Sequence, residues 1–168
     1  MIFVEMPIWD AGTRLLVAAL LGMLAGFERE FRRKPAGVRT HMLVATGSAA
    51  FMILTLELAI GPLKVVDQAS VDPTRIIQGI IGGIGFLGAG AIIQGGREVS
   101  GLTTGASIWV AGAIGIACGI GFFDFALLLT AVVVIILYAI GRVEGLVMDK
   151  VEETTGIKRP EKGHDEPE

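Results

Sequence analysis

Long apolar runs joined by only a few polar residues leave this 168-residue chain few ways to fold. A helix needs roughly 20 apolar residues to cross about 30 Å of hydrocarbon, where it satisfies its own backbone polar groups and an open strand cannot. The pattern predicts five such helices, an all-α polytopic bundle, at residues 11–27, 41–60, 76–93, 102–121 and 125–140. Asp72 as N-cap and Pro73 at the first helical position announce the third. Glu57 interrupts the far end of the second, and Gly61 and Pro62 stop it. Residues 94–100 read as a short polar loop, and Phe122, Phe123 and Asp124 form a joint so brief that the last two helices must be antiparallel neighbours. Only thirteen residues separate Arg14 from Glu28, so the first span is short and both charges are expected to reach outward to the interfaces.

With 52% of its residues hydrophobic and 18% charged, the chain is too apolar for an ordinary water-soluble domain. The single cysteine, Cys118, excludes an intramolecular disulfide and a cysteine-based metal cluster within one chain. The start, MIFVEMPIWD, carries acids before the first apolar run, unlike a cleaved signal peptide, and is expected to be retained. Short loops rich in Lys and Arg stay on the cytoplasmic side. The joint EREFRRKPAGVR holds five basic residues, Arg29, Arg32, Arg33, Lys34 and Arg39. Placing it inside puts the N-terminus outside and the C-terminus inside. Residues 1–142 are then the transmembrane part, and 143–168 a short polar cytoplasmic tail, helical at first and then disordered.

The string GIGFLG, from Gly83 to Gly88, matches the G-x-G-x-x-G nucleotide fingerprint without the strand before it or the acid about 20 residues after it that the fingerprint requires. Small residues that let helices approach closely in lipid explain it better. Gly79, Gly82, Gly83, Gly85, Gly88 and Gly90 on the third helix, and Gly101, Gly105 and Gly112 on the fourth, are therefore assigned to packing of these two helices, with Gly115 and Gly119 beside them. The competing reading is a broken helix lining a pathway. Gly22 and Gly26 form a G-x-x-x-G pair, which predicts a homo-oligomer.

Charges near lipid are expensive and mark function by default. On the expected outer side stand Asp10, Arg14, Glu57, Asp72, Arg75 and Asp124. Spacing pairs Asp10 with Arg14 and Asp72 with Arg75. A surplus of carboxylates, with Asp72, Glu57 and Asp10 as candidate ligands, fits loose capture of Mg2+, which prefers oxygen and keeps much of its water. No other cofactor is expected. On the inner side Glu28, Arg29, Arg39 and His41 flank the basic joint, where fixing topology and touching anionic lipid is the simplest role. No catalytic triad, H-E-x-x-H or phosphate loop is present, so the chain is read as non-enzymatic, with no nucleic-acid partner.

Four ordered blocks, RLLVAALLGMLAGFERE, KPAGVRTHMLVATGSAAF, DPTRIIQGIIGGIGFLGAGAI and GLTTGASIWVAGAIGIACG, closely resemble the MgtC/SapB family of bacterial inner-membrane proteins over residues 10–142. The resemblance makes Asp10, Arg14, Glu28, Arg29, Gly37, Arg39, Thr40, His41, Asp72, Arg75, Gln78, Thr103, Thr104 and Trp109 the functional candidates, together with the glycines from Gly83 to Gly90 and Gly101. It implies a role in magnesium-linked homeostasis and growth at low Mg2+, with survival inside macrophages as the virulence-type role of some members. It also implies regulation of a membrane process, since one member restrains the F-type ATP synthase and so affects membrane potential. Transport of Mg2+ or another cation, through acidic edge residues and glycine-rich helices, is the alternative. Many members carry a cytoplasmic domain resembling ACT folds, and with only residues 143–168 beyond the bundle this chain is expected to be a short member without it.

Overall fold

The computed structural model describes residues 6–60, 72–95 and 98–155. The order of elements is α1 (Ile8–Phe31), α2 (Val38–Ile60), α3 (Pro73–Gly90), β1 (Ile93–Gly95), β2 (Glu98–Ser100), α4 (Leu102–Ile120) and α5 (Phe123–Thr155). The five predicted helices are all present. By length and composition three of them are able to cross a membrane: α1, α2 as far as Leu58, and α4. Arg75 and Gln78 in the first turns of α3, and the glycines after them, lower its hydropathy, and α5 carries an apolar stretch over Phe123–Ala139 among the described residues. The predicted stop at Gly61 and Pro62, and the tail from residue 156, lie outside the described residues.

The residues expected as a plain polar loop instead form a small antiparallel ribbon, with Ile93 opposite Ser100, Gln94 opposite Val99 and Gly95 opposite Glu98. Gly101 closes it with φ +84°, and a Cβ there would lie 2.0 Å from the Ala91 carbonyl oxygen. Its glycine therefore serves a left-handed turn at the start of α4, not the helix packing predicted for it.

Two compact units divide the chain at Val134 and Ile135. The first holds α1 to α4 and the start of α5, and the second holds the remainder of α5. In the first unit α4 lies at the centre, buried along most of its length from Thr104 to Gly119. One core cluster joins it to α1, α2 and the start of α5 through small side chains: Ala18, Ala25, Ala45, Ala49, Ala117 and Ala126, with Leu21, Ile114 and Cys118. Between lipid-embedded helices such residues permit close backbone approach, which dispersion and weak polar contacts reward where water exclusion does not act. Met52, Ile80, Ile84, Ile108 and Ile116 form a second cluster between α2, α3 and α4.

The glycine assignments divide on inspection of what a Cβ would meet. Gly88 and Gly105 do join α3 to α4, each facing the other's backbone. Gly112 meets the end of the Ile84 side chain on α3, but Gly115 and Gly119 lie against the Ala45 and Ala49 carbonyls of α2, where a Cβ would come to 2.1 and 2.7 Å. By contrast Gly79, Gly82, Gly83, Gly85 and Gly90 would have nothing within 4 Å of a Cβ, so among the described residues they pack against no helix. Gly22 and Gly26 are also reassigned. A Cβ on Gly22 would lie 2.7 Å from the His41 carbonyl oxygen, and one on Gly26 2.9 Å from the Cα of Val38. Their G-x-x-x-G face is consumed by the α1–α2 contact and is not free to bind a second copy.

Candidate functional site

Arg14 and Glu28, expected to reach outward, both turn inward, and each helps to build a polar cluster at one end of α1. The first cluster begins with the end of α4. Gly121, at φ +90°, lets the Gly121 and Phe122 amides bond back to the Cys118 and Ala117 carbonyls at 2.9 and 2.8 Å, a Schellman arrangement that leaves the Gly119 carbonyl without a helical partner. Arg14 supplies one, donating from Nη1 to Gly119 O at 2.8 Å while Nη2 pairs with Asp10 at 2.9 Å. The guanidinium thus neutralises the negative end of the α4 dipole as well as a carboxylate. Nearby on α2, buried Glu57 accepts from the Met6 amide at 3.1 Å and keeps Oε2 without a partner.

At the other end, Arg29 is only 5% exposed and donates from Nη2 to Thr104 Oγ1 at 2.5 Å, tying α1 to the first turn of α4. Glu28, equally buried, pairs with Arg32 through Oε1. His41 is fully buried over Gly26, within electrostatic reach of Arg29. Its Nδ1 lies 2.9 Å from the Gly37 carbonyl, which assigns the proton to Nδ1 in the neutral ring and leaves Nε2 as an acceptor. Glu28 Oε2, Arg29 Nε and His41 Nε2 are all buried without a hydrogen-bond partner. The turn between α1 and α2 is tight, with Arg33 and Ala36 at positive φ, and Gly37 leaves room for Glu30 to accept from the Val38 amide at the start of α2.

Of the sequence candidates, the structure therefore brings together Glu28, Arg29, His41 and Thr104 at one end and Asp10 with Arg14 at the other. Arg39, Thr103, Gln78, Arg75 and Trp109 are exposed, and Thr40 is half-buried. The expected Asp72–Arg75 ion pair does not form within 4 Å, because Asp72 is engaged by the Thr74 amide and hydroxyl at 2.9 and 2.6 Å. Among the described residues no three His, Cys, Asp or Glu side chains are grouped to hold a metal. Asp72, Glu57 and Asp10 are thus not assembled as a ligand set: the first caps a helix, the second receives an amide and the third pairs with Arg14. Ser107, bonded to the Thr104 carbonyl at 2.9 Å, and the Gly119 carbonyl were missed, since neither carries a charge or motif.

The sequence that builds α1, α2 and α4 matches a known family. The MgtC family model matches residues 15–146, from the helix that bears both clusters to beyond the last apolar run. The chain belongs to the MgtC family. Among its curated relatives, Protein MgtC of Salmonella typhimurium is 43% identical over 119 residues, 71% of this chain and 47% of the relative. YhiD of Escherichia coli K12, which bears the name of a candidate magnesium transporter, is 40% identical over 114 residues, 68% of this chain and 53% of the relative. An uncharacterised Haemophilus influenzae protein is 39% identical over 124 residues, 73% of this chain and 52% of that one. The chain spans about half the length of these MgtC relatives. No solved structure matches it.

Proposed function

We propose that this MgtC-family membrane protein is a non-enzymatic component of magnesium-linked homeostasis in the bacterial inner membrane. It acts on another membrane complex, the F-type ATP synthase foremost, and does not conduct ions itself. The observation that supports this reading is the division of α1 into two polar ends and an apolar middle. Arg14 and Glu28 are fourteen residues apart, about 21 Å along a helix. Between them lies the cluster of buried alanines with Leu21, Ile114 and Cys118, which offers an ion no charged side chain, and buried Ser48 beside it gives its hydroxyl proton to the Val44 carbonyl of its own helix. The ends instead bind helix to helix, as a protein that signals through packing requires. Orientation belongs to the proposal as well: the basic joint between α1 and α2, with Glu28, Arg29 and His41, faces the cytoplasm.

Transport of Mg2+ is the second reading, favoured by the name of the E. coli relative and by the unpartnered oxygens of Glu57 and Glu28 at opposite ends. Proteoliposomes loaded with a Mg2+ indicator separate the two. Regulation predicts influx no faster than in protein-free vesicles under an inward gradient, and co-purification of the protein with ATP synthase from native membranes. Influx that disappears in Glu28→Gln would replace regulation with transport.

A further inference from the structure

An apolar groove of about 720 Å³ runs between α2 and α3. Leu43, Phe51 and Leu58 form one wall, Ile76, Gly83 and Leu87 the other. Two features make it more than an unfilled gap. Glycines Gly47, Gly79 and Gly83 line it with nothing within 4 Å of a Cβ position, so both walls are pared back to the helix backbone. Its polarity is also arranged along its length. Ser48 and Thr55 donate their hydroxyl protons to the Val44 and Phe51 carbonyls of their own helix, at 2.8 and 2.7 Å. The one charged group on the lining is Arg75, at the end where α3 begins. Among the described residues its guanidinium makes no hydrogen bond and no ion pair within 4 Å, since Asp72 is occupied by Thr74.

We infer that this groove holds one anionic phospholipid, with its phosphate on Arg75 and an acyl chain lying along Gly79, Gly83 and Leu87. Charge and length both favour it. A single cation at the mouth of an otherwise apolar channel complements an amphiphile with one anionic head, and guanidinium binds phosphate with paired donors. From Arg75 to Leu87 the wall extends twelve residues, about 18 Å of helix. One leaflet of hydrocarbon is about 15 Å deep, half the bilayer core. The opposite wall, from Leu43 to Leu58, is fifteen residues or about 22 Å long, so the groove takes an acyl chain that starts at the headgroup level and runs past the midplane, short of the roughly 30 Å that a spanning helix would need.

The test uses the full chain reconstituted in nanodiscs of mixed phosphatidylglycerol and phosphatidylethanolamine, extracted and washed, with retained phospholipid per chain read by mass spectrometry. Wild type is expected to keep phosphatidylglycerol above its share of the mixture. Arg75→Gln should lower that enrichment roughly fivefold, in line with the worth of one basic side chain at an anionic lipid surface, while Arg75→Lys keeps most of it. Gly79→Leu with Gly83→Leu extends side chains into open space, so helicity should be unchanged while total retained lipid falls. Unchanged enrichment in Arg75→Gln, or unchanged retention in the doubly filled groove, overturns the assignment. So does a dimer, detected by mass, that is lost in Arg75→Gln with lipid unaltered, because a second copy would then occupy the groove.

Discussion

Arg29 shows what one buried charge does in a protein of this kind. Its only hydrogen-bonding side chain among the described residues is Thr104, reached across from α1 to α4. Removing that hydroxyl leaves the buried Arg29 side chain without a hydrogen-bond acceptor among the described residues, a loss of roughly 1–3 kcal/mol for the orphaned donor. Thr104→Val should therefore lower unfolding stability in detergent, and adding Arg29→Met should recover part of the loss, because an apolar side chain of similar length no longer needs the partner. Full additivity of the two changes would show that the pair does not act as a latch. The type of each charged residue was legible beforehand, and so was its place near a span end. That Arg14 would find the Gly119 carbonyl, 105 positions away, was not, since the acceptor is a backbone atom exposed only by a turn at Gly121.

At the scale of elements, α4 owes its position to glycine at particular turns. Gly115→Leu drives a side chain into the Ala45 carbonyl of α2 and should destabilise the fold by roughly 1–3 kcal/mol, the usual cost of overpacking. Gly82→Ala on α3 meets open space and should be neutral or stabilising by up to about 1 kcal/mol, since alanine is the better helix former. Chemical unfolding in micelles measures both, and equal losses would contradict this division of the glycines. The start of α3 is set by Asp72, whose carboxyl is held below its ordinary value of 3.8, first by the Thr74 hydroxyl, then by the Thr74 amide. The folded value is depressed, so this cap is fully present above the ordinary value and is lost as pH falls through the lower one. The Thr74 amide resonance should therefore hold steady from neutral pH and move only below about pH 4, and Asp72→Ala should abolish the transition. That boundary was readable from an acid followed by proline. The five helices were readable too, because apolar length alone specifies them in hydrocarbon. Which glycine touches which helix was not, since a stripe of small residues looks the same whether it meets a backbone or nothing.

For the whole molecule, orientation is the largest open consequence of the sequence. A single cysteine introduced by Lys34→Cys in a Cys118→Ala background should react with an impermeant maleimide in inverted vesicles and not in intact spheroplasts. The reverse pattern would turn the bundle over. In the parent chain Cys118 is fully buried in the α1–α2–α4 core and should resist even permeant reagents until the protein is unfolded. Sequence by itself determined that this chain is a bundle of apolar helices, where α3 begins and which family it resembles, because those follow from local composition and ordered motifs. Only the tertiary structure decided that Arg14 and Glu28 turn inward, that the Gly22–Gly26 face is spent on α2, and that Asp72, Glu57 and Asp10 have separate partners. Helical spacing foresaw the Asp10–Arg14 pair, but contacts between separate helices, such as Gly22 on His41, Met6 on Glu57 and Arg14 on the Gly119 carbonyl, depend on which surfaces meet, and periodicity within one helix carries no record of that.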